Sequence, residues 1–136
     1  MDYKTWVFIA NRIFTMEEEK FISEQMKRFL SQWKSHGQPL EAKGYCLKQA
    51  ALVLIANERD VQASGCSIDK INRWVQSLGE TLGIDFFDRF NVLVENEDGV
   101  WTLERFNPQN ANKAITANLT SSNELNRLLN LKISIL

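Results

Sequence analysis

The residues best able to do chemistry lie in the segment Ala63-Ser-Gly-Cys-Ser-Ile-Asp69. Its two serines are of the type that caps helices, and a helical pattern follows, so we expect Cys66 at a helix N-terminus. At that end the helix dipole and the unpaired amides lower the pKa of a thiol and favour the reactive thiolate. His36 could serve as its base, and Asp69 lies nearby. The candidate catalytic residues are therefore Cys66, His36 and Asp69.

Two other interpretations apply to this segment. Outward-facing amides of a helix N-terminus favour a bound anion, so the candidate anion or ligand site consists of Ser64, Gly65, Cys66 and Ser67. In the plainer interpretation Cys66 is a small buried residue and Ser67 an ordinary cap, since caps are common and reactive thiols are few. Likewise, we favour His36, the only histidine, as a helix-terminating residue.

A second polar set comes from two distant parts of the chain: Asn11, Arg12, Asp85, Asp88 and Arg89. These residues could form an ion-pair network or a polar ligand site, and we favour the structural network. The two cysteines, Cys46 and Cys66, lie far apart from each other and from His36 in sequence. Their spacing does not suit metal ligands, so no metal site is expected, and no motif indicates a cofactor.

Composition places the chain among ordinary globular domains. It has 136 residues, 44% of them hydrophobic, and 16 Lys plus Arg against 17 Asp plus Glu, for a net charge of -1. A nucleic-acid binder would carry a basic surplus, so we expect no nucleic-acid partner. Because neither a signal peptide nor a membrane span is visible, we expect a cytoplasmic protein with no membrane contact. We expect one domain over 1–136, with a core at about 5–104 and an extension at 105–136.

Hydrophobic periodicity predicts the elements. Thr15, followed by Glu at position 18, forms a capping-box pattern that starts a helix over 15–35. A second helix is predicted over 68–82 and a short one over 124–131. Strands are predicted at 6–10, 40–47, 50–56, 90–95 and 100–103.

The order of these elements predicts an α+β fold. A β-α-β-β-α-β succession is typical of the ferredoxin-like arrangement, an antiparallel sheet with two helices on one face. The runs at 6–10 and 50–56 should be adjacent and central, with an extra C-terminal strand and a short helix added. One edge should then hold Trp33, His36 and the loop 63–69, and the opposite edge should hold 11–12 and 85–89.

The two central runs are apolar on both faces, although two helices can cover only one. Leaving large apolar side chains wet would cost about 1.5–3 kcal/mol for each. We therefore expect the second face to be covered by the segment after Phe106, including Ile133 to Leu136, together with a second copy of the chain in a homodimer.

Four stretches in order carry a family resemblance: Ala10-Asn-Arg12, Trp33-Lys-Ser-His-Gly37, Ala63-Ser-Gly-Cys-Ser-Ile-Asp-Lys70 and Gly83-Ile-Asp-Phe-Phe-Asp-Arg89. Over about residues 5 to 95 the chain resembles a family of small uncharacterised bacterial proteins whose members often carry the label "ABC transporter ATPase". The residues contradict that label. A P-loop requires Gly-x-x-x-x-Gly-Lys-Ser/Thr to wrap phosphates, and none of the six glycines opens such a motif.

Together these patterns favour a non-enzymatic binding or interaction domain that acts as a homodimer and can take a small anionic ligand. The alternative is a thiol-dependent enzyme or redox-responsive protein that uses Cys66. The reactivity of this thiol across pH would discriminate the two.

Overall fold

Two helices and three antiparallel sheets make up the computed structural model, which describes residues 3–117. The elements are β1 Tyr3–Ile9, α1 Met16–Ser31, β2 Lys34–Ser35, β3 Gln38–Pro39, β4 Glu41–Leu47, β5 Ala51–Asn57, α2 Gly65–Leu82, β6 Asn91–Glu95, β7 Trp101–Arg105 and β8 Ala114–Ile115. The mixed α+β class is confirmed. Of the described helices, none is both long and apolar enough to cross a membrane. The predicted helix at 124–131 and the end at 133–136 lie outside the described residues.

The largest sheet has the strand order β1-β5-β4, with both pairs antiparallel. The predicted adjacency of the first and third long strands is confirmed, but β5 alone is central. In the ferredoxin-like arrangement the fourth long strand would lie beside β1. Instead β6 pairs with β7 and β8 in a separate sheet. The ferredoxin-like topology is therefore not confirmed.

The separate sheet covers the second face of the large one. Leu93 pairs directly with both Leu103 and Ile115, so these side chains share one face. They form a cluster with the odd-numbered residues of the large sheet, among them Val7, Ile9, Val53 and Ile55. Stacking in this way buries apolar side chains that an extended single sheet would leave wet. The expected cover by the segment after Phe106 is confirmed for Ile115, whereas the part taken by β6 and β7 was not predicted.

The helices pack on the opposite face of the large sheet. Even-numbered residues of β1 and β5, such as Phe8, Leu52 and Leu54, form a cluster with Ile22 of α1 and Ile71 of α2. The chain is thus layered as helices, large sheet and small sheet. The edge strands of the large sheet, β1 and β4, pair with β5 on one side and have no strand within residues 3–117 on their outer side.

The first helix begins as predicted and ends earlier. Thr15 Oγ1 accepts from Glu18 N at 3.1 Å and Thr15 N donates to Glu18 Oε1 at 2.9 Å, which completes the capping box. The prediction of helix to residue 35 is wrong, because 34–39 form the β2–β3 hairpin. At its turn His36 and Gly37 have φ of 53° and 79°. His36 is therefore a turn residue and does not terminate the helix.

The β4–β5 connection also turns through left-handed residues. Lys48 and Gln49 have φ of 52° and 53°, the successive positive values that a type I′ turn requires. Non-glycine residues adopt this conformation at a cost of about 1–2 kcal/mol each. At Gln49 a tertiary hydrogen bond offsets this conformational cost, because the Gln49 carbonyl accepts from Phe14 N at 2.6 Å. Contact with the segment before α1 thus stabilises a turn that lacks glycine.

Candidate functional site

Cys66 lies in the first turn of α2 and is exposed. Ser64 is the N-cap, and its hydroxyl accepts from Ser67 N at 3.1 Å. In return Ser67 Oγ accepts from Ser64 N at 2.6 Å. The placement of Cys66 at a helix N-terminus is as the sequence predicts, and the capping role of the two serines is met by a complete capping box.

The capping box uses part of the predicted anion site. The amides of Ser64 and Ser67 are bonded within the loop. Only those of Gly65 and Cys66 are left, as first-turn amides that have no partner inside the helix. Beside them the Glu58 carboxylate accepts from Ala63 N at 2.7 Å and brings a negative charge to the same end. The loop is therefore a weaker attractor of anions than the sequence suggests.

The proposed partners of Cys66 are not joined to it. Trp33 Nε1 donates to Ser67 O at 2.8 Å, so the end of α1 and the start of α2 do meet, as expected. His36 is exposed at the hairpin turn, and neither its ring nor the Cys66 sulfur forms a hydrogen bond with any described residue. Asp69 is engaged in an exposed ion pair with Arg73 at 3.0 Å. The three candidate catalytic residues thus share one end of the molecule without forming a bonded set.

The other cysteine is in a different environment. Cys46 lies on β4, and its sulfur is 3.7 Å from Ser23 Oγ of α1. Burial raises the pKa of the Cys46 thiol above its usual range. Both cysteines are free thiols. Within residues 3–117, no group of three or more His, Cys, Asp or Glu side chains could hold a metal ion.

Four of the five residues in the second polar set are used in structural bonds. Asn11 Oδ1 accepts from Asp85 N at 2.9 Å. Arg12 donates to both carboxylate oxygens of Glu18, at 2.9 and 2.8 Å, and to Leu82 O at 2.7 Å. It therefore links the start of α1 to the end of α2. Asp88 accepts from Arg105 of β7 at 2.7 Å. These bonds are structural, but only the one between Asn11 and Asp85 joins two members of the set, so the set does not form a single ion-pair network.

The pair of Arg12 and Glu18 predicts a specific acid response. Hydrogen bonds from Arg12, and then from the Thr15 backbone, lower the pKa of Glu18 from 4.5 to about 2. The folded state favours the charged form of Glu18. The contribution of this carboxylate to the free energy of unfolding is therefore fully present above pH 4.5 and is lost as the pH falls towards 2. The stability difference between the wild type and Glu18→Gln should therefore shrink over that window. Urea midpoints measured against pH test this, with Glu17→Gln as the exposed control. A difference independent of pH would contradict it.

Arg89 is the remaining member of the set. Its guanidinium forms no hydrogen bond or ion pair with any other residue of the described range. It lines a groove of about 370 Å³ between the outer edge of β1 and the connection from α2 to β6. The other residues of this β1 groove are Lys4, Thr5, Trp6, Val7, Phe8, Asn72, Phe86, Phe87 and Ala117.

The backbone of β1 contributes to this groove. Ala10 N donates to Ala50 O at 2.7 Å, which identifies the hydrogen-bonded pairs of β1 and β5 as those of even-numbered β1 residues. In an antiparallel ladder the intervening residues turn their N–H and C=O groups the other way. The main-chain polar groups of Thr5 and Val7 therefore point outward along the β1 groove.

The side chains add aromatic surface and positive charge. Lys4 Nζ lies 5.5 Å from the centre of the Trp6 ring. The rings of Phe8 and Phe87 meet edge to face at 5.8 Å. A larger groove of about 750 Å³ along α2 shares Asn72 and Phe87 with the β1 groove. Aromatic walls with two cations and outward amides suit an anionic ligand that has a planar or apolar body.

Sequence reasoning named Arg89 but missed the residues that lie with it. The expected central position of β1 hid its outer edge, and so Lys4 was missed as a ligand contact and Trp6 was interpreted as a core residue. Lys4 and Trp6 are two residues apart, so the sequence places them on the same face of β1. The outer edge of β1 is open only because β6 forms a separate sheet and does not pair with β1.

Comparison with known proteins adds no relative: no family model, no curated protein and no solved structure matches this chain. The family resemblance of residues 5 to 95 therefore has no support beyond the four sequence stretches that suggest it.

Proposed function

We propose that this protein is a non-enzymatic binding domain that holds a small anionic ligand in the β1 groove. The observation that carries this proposal is Arg89, a cation without a partner among the described residues, beside an aromatic wall. In the same polar set Arg12 is fully engaged in fixing the helices, so the two arginines have different roles. A guanidinium offers a planar set of donors that matches a carboxylate or phosphate.

Titration with simple probes tests the proposal. Phenyl phosphate should bind more tightly than benzyl alcohol, because the neutral alcohol gains nothing from Arg89 or Lys4. Arg89→Ala should weaken phenyl phosphate binding about tenfold, the value of one charge-assisted contact of about 1.4 kcal/mol. Arg59→Ala removes an exposed arginine outside the groove and should change nothing. Equal binding by the two arginine variants, or no binding of either probe, would overturn the proposal.

We further propose that the domain acts as a homodimer. Phe90 and Phe106 are 61% and 43% exposed and lie side by side, with Phe106 N donating to Phe90 O at 2.7 Å. Exposed aromatic patches mark interaction surfaces, and a second copy would bury this one. Light scattering should give the mass of a dimer for the wild type and of a monomer for a variant with serine at both positions. Val100→Ser, also exposed, should stay dimeric.

The alternative, a thiol-dependent function, is supported by the exposure of Cys66 in the first turn of α2. Cys46 is an internal comparison, since burial raises its pKa. If Cys66 is functional, iodoacetamide should alkylate it faster than it alkylates a cysteine in an unstructured peptide at the same pH. His36→Ala should slow that reaction if the histidine assists. A rate equal to that of the peptide would leave Cys66 with no chemical role.

A further inference from the structure

A second groove lies at the other edge of the large sheet, between α1 and β4. It encloses about 610 Å³. One wall is the α1 face formed by Ser23, Met26, Lys27, Leu30 and Ser31, and the other is five consecutive residues of β4, from Ala42 to Cys46. Consecutive strand residues line a groove only where it follows the strand edge, because alternate side chains point to opposite faces. We call it the β4 groove.

The backbone of β4 presents its unpaired groups to this groove. Since even-numbered residues of β5 bond to β1, the odd-numbered ones bond to β4. Their partners on β4 are Glu41, Lys43, Tyr45 and Leu47. The N–H and C=O groups of Ala42, Gly44 and Cys46 therefore point outward, and no strand of residues 3–117 pairs with them.

The floor of the β4 groove is apolar where α1 meets Gly44. Met26 is buried and Leu30 is half-buried on α1, and both face Gly44 across the groove. A Cβ at Gly44 would overlap with the Met26 side chain and come within 3.1 Å of Leu30 Cδ1. The missing side chain thus lets the helix close on the strand and leaves the main chain of Gly44 accessible from the edge.

The charges of the β4 groove are unequal along its length. Ser23 meets Cys46 at one end, and Glu19 raises the pKa of that thiol through its negative charge, after the larger effect of burial. Lys27 lies further along the α1 wall. A ligand with negative charge towards Lys27 and apolar groups between the walls would complement this pattern.

We propose that the β4 groove binds an extended peptide segment of a partner protein, which adds to the large sheet as a strand beside β4. Strand addition uses main-chain hydrogen bonds for affinity and pockets for alternate side chains for specificity. Here the bonds form with Ala42, Gly44 and Cys46, an apolar side chain enters between Leu30 and Ala42, and an acidic side chain meets Lys27. This site lies on the opposite edge from the β1 groove and does not depend on the anionic ligand proposed there.

Selection from a library of random peptides of about eight residues, enough to span β4, tests the proposal. The selected peptides should alternate apolar with acidic residues and should shift the amide resonances of Ala42, Gly44 and Cys46. Ala42→Pro removes an outward N–H that the sheet does not use, so the fold should persist. It should weaken peptide binding about tenfold, because the peptide loses one main-chain hydrogen bond and the close fit that goes with it.

Charge variants keep the test decisive if the proline variant fails to fold. Lys27→Glu should weaken binding of acidic peptides about fivefold or more, whereas Lys20→Glu, on α1 outside the groove, should not. Three results would each overturn the proposal. One is the selection of no peptide, and another is binding that leaves the β4 amides unshifted. The third is hydrogen exchange at Ala42, Gly44 and Cys46 that is already protected in the free protein, by its own chain or by a second copy.

Discussion

Substituting alanine for Gly79 is expected to lower the free energy of unfolding by about 3 kcal/mol, as overpacking in a core does. The usual effect of this change inside a helix is a gain of about 1 kcal/mol. The reversal has a local cause. Gly79 is buried near the end of α2, and a Cβ there would overlap with the carbonyl oxygen of Ile84.

The chain after α2 explains why this overlap has no easy relief. Gly83 ends the helix in a left-handed conformation with φ of 68°, and Ile84 N then returns to bond with Gly79 O at 2.9 Å. Ile84 and Phe86 are both buried in the helix-side core. Moving the carbonyl of Ile84 away from a new methyl group would therefore displace two core side chains.

Urea unfolding compared with Gly65→Ala checks this prediction. Gly65 is the first residue of α2, and a Cβ there would meet nothing within 4 Å, so this control should be neutral or slightly stabilising. If both variants shift stability in the same direction, the close approach at Gly79 does not govern it. A displaced Ile84 to Arg89 segment should also weaken ligand binding in the β1 groove, which that segment lines.

Truncation of Ile115 to alanine should also cost about 3 kcal/mol, because it opens a cavity between the two sheets. Ile115 has no exposed surface and packs with Leu93 against the large sheet. It is contributed by β8, a strand of only two residues, so few other contacts can compensate. The variant should expose the second face of β1 and β5 and bind a hydrophobic dye.

Thermal or urea unfolding measures this effect, with Val100→Ala as the control. Val100 is 55% exposed, and its truncation should change the free energy of unfolding by less than about 0.5 kcal/mol. Equal small effects for the two variants would mean that Ile115 does not cover the second face. Cover of that face would then depend on Leu93 of β6 and Leu103 of β7.

Local patterns were sufficient for several elements. The capping box at Thr15 and Glu18 was evident because it depends on residues three apart. The same holds for the position of Cys66 at the start of α2, where Ser64 and Ser67 cap each other. The wrong end of α1 had a local cause as well: His36-Gly37 supplies a hairpin turn, which a helix-period pattern through Trp33 concealed.

The candidate site depended on tertiary contacts that no local pattern contains. The sequence gives no reason to separate the charged residues Arg12, Asp88 and Arg89. In the structure Arg12 is bonded to Glu18 and Asp88 to Arg105, while Arg89 faces a groove. Which charge is free is decided by which partners the fold brings within hydrogen-bond distance. Those partners come from elements whose relative placement the sequence left open.

By itself the sequence determined the class of fold, the pairing of β1 with β5 and the fact that both faces of these strands needed cover. Periodicity and apolar content carry that information because burial of a face depends on the residues of that face alone. Only the tertiary structure decided that β6 would fold over the sheet and not extend it. Both arrangements bury β6, so the choice depends on how Leu93, Leu103 and Ile115 fit against Val7, Val53 and Ile55. That fit left the edges of β1 and β4 open, and both proposed binding grooves lie along those edges.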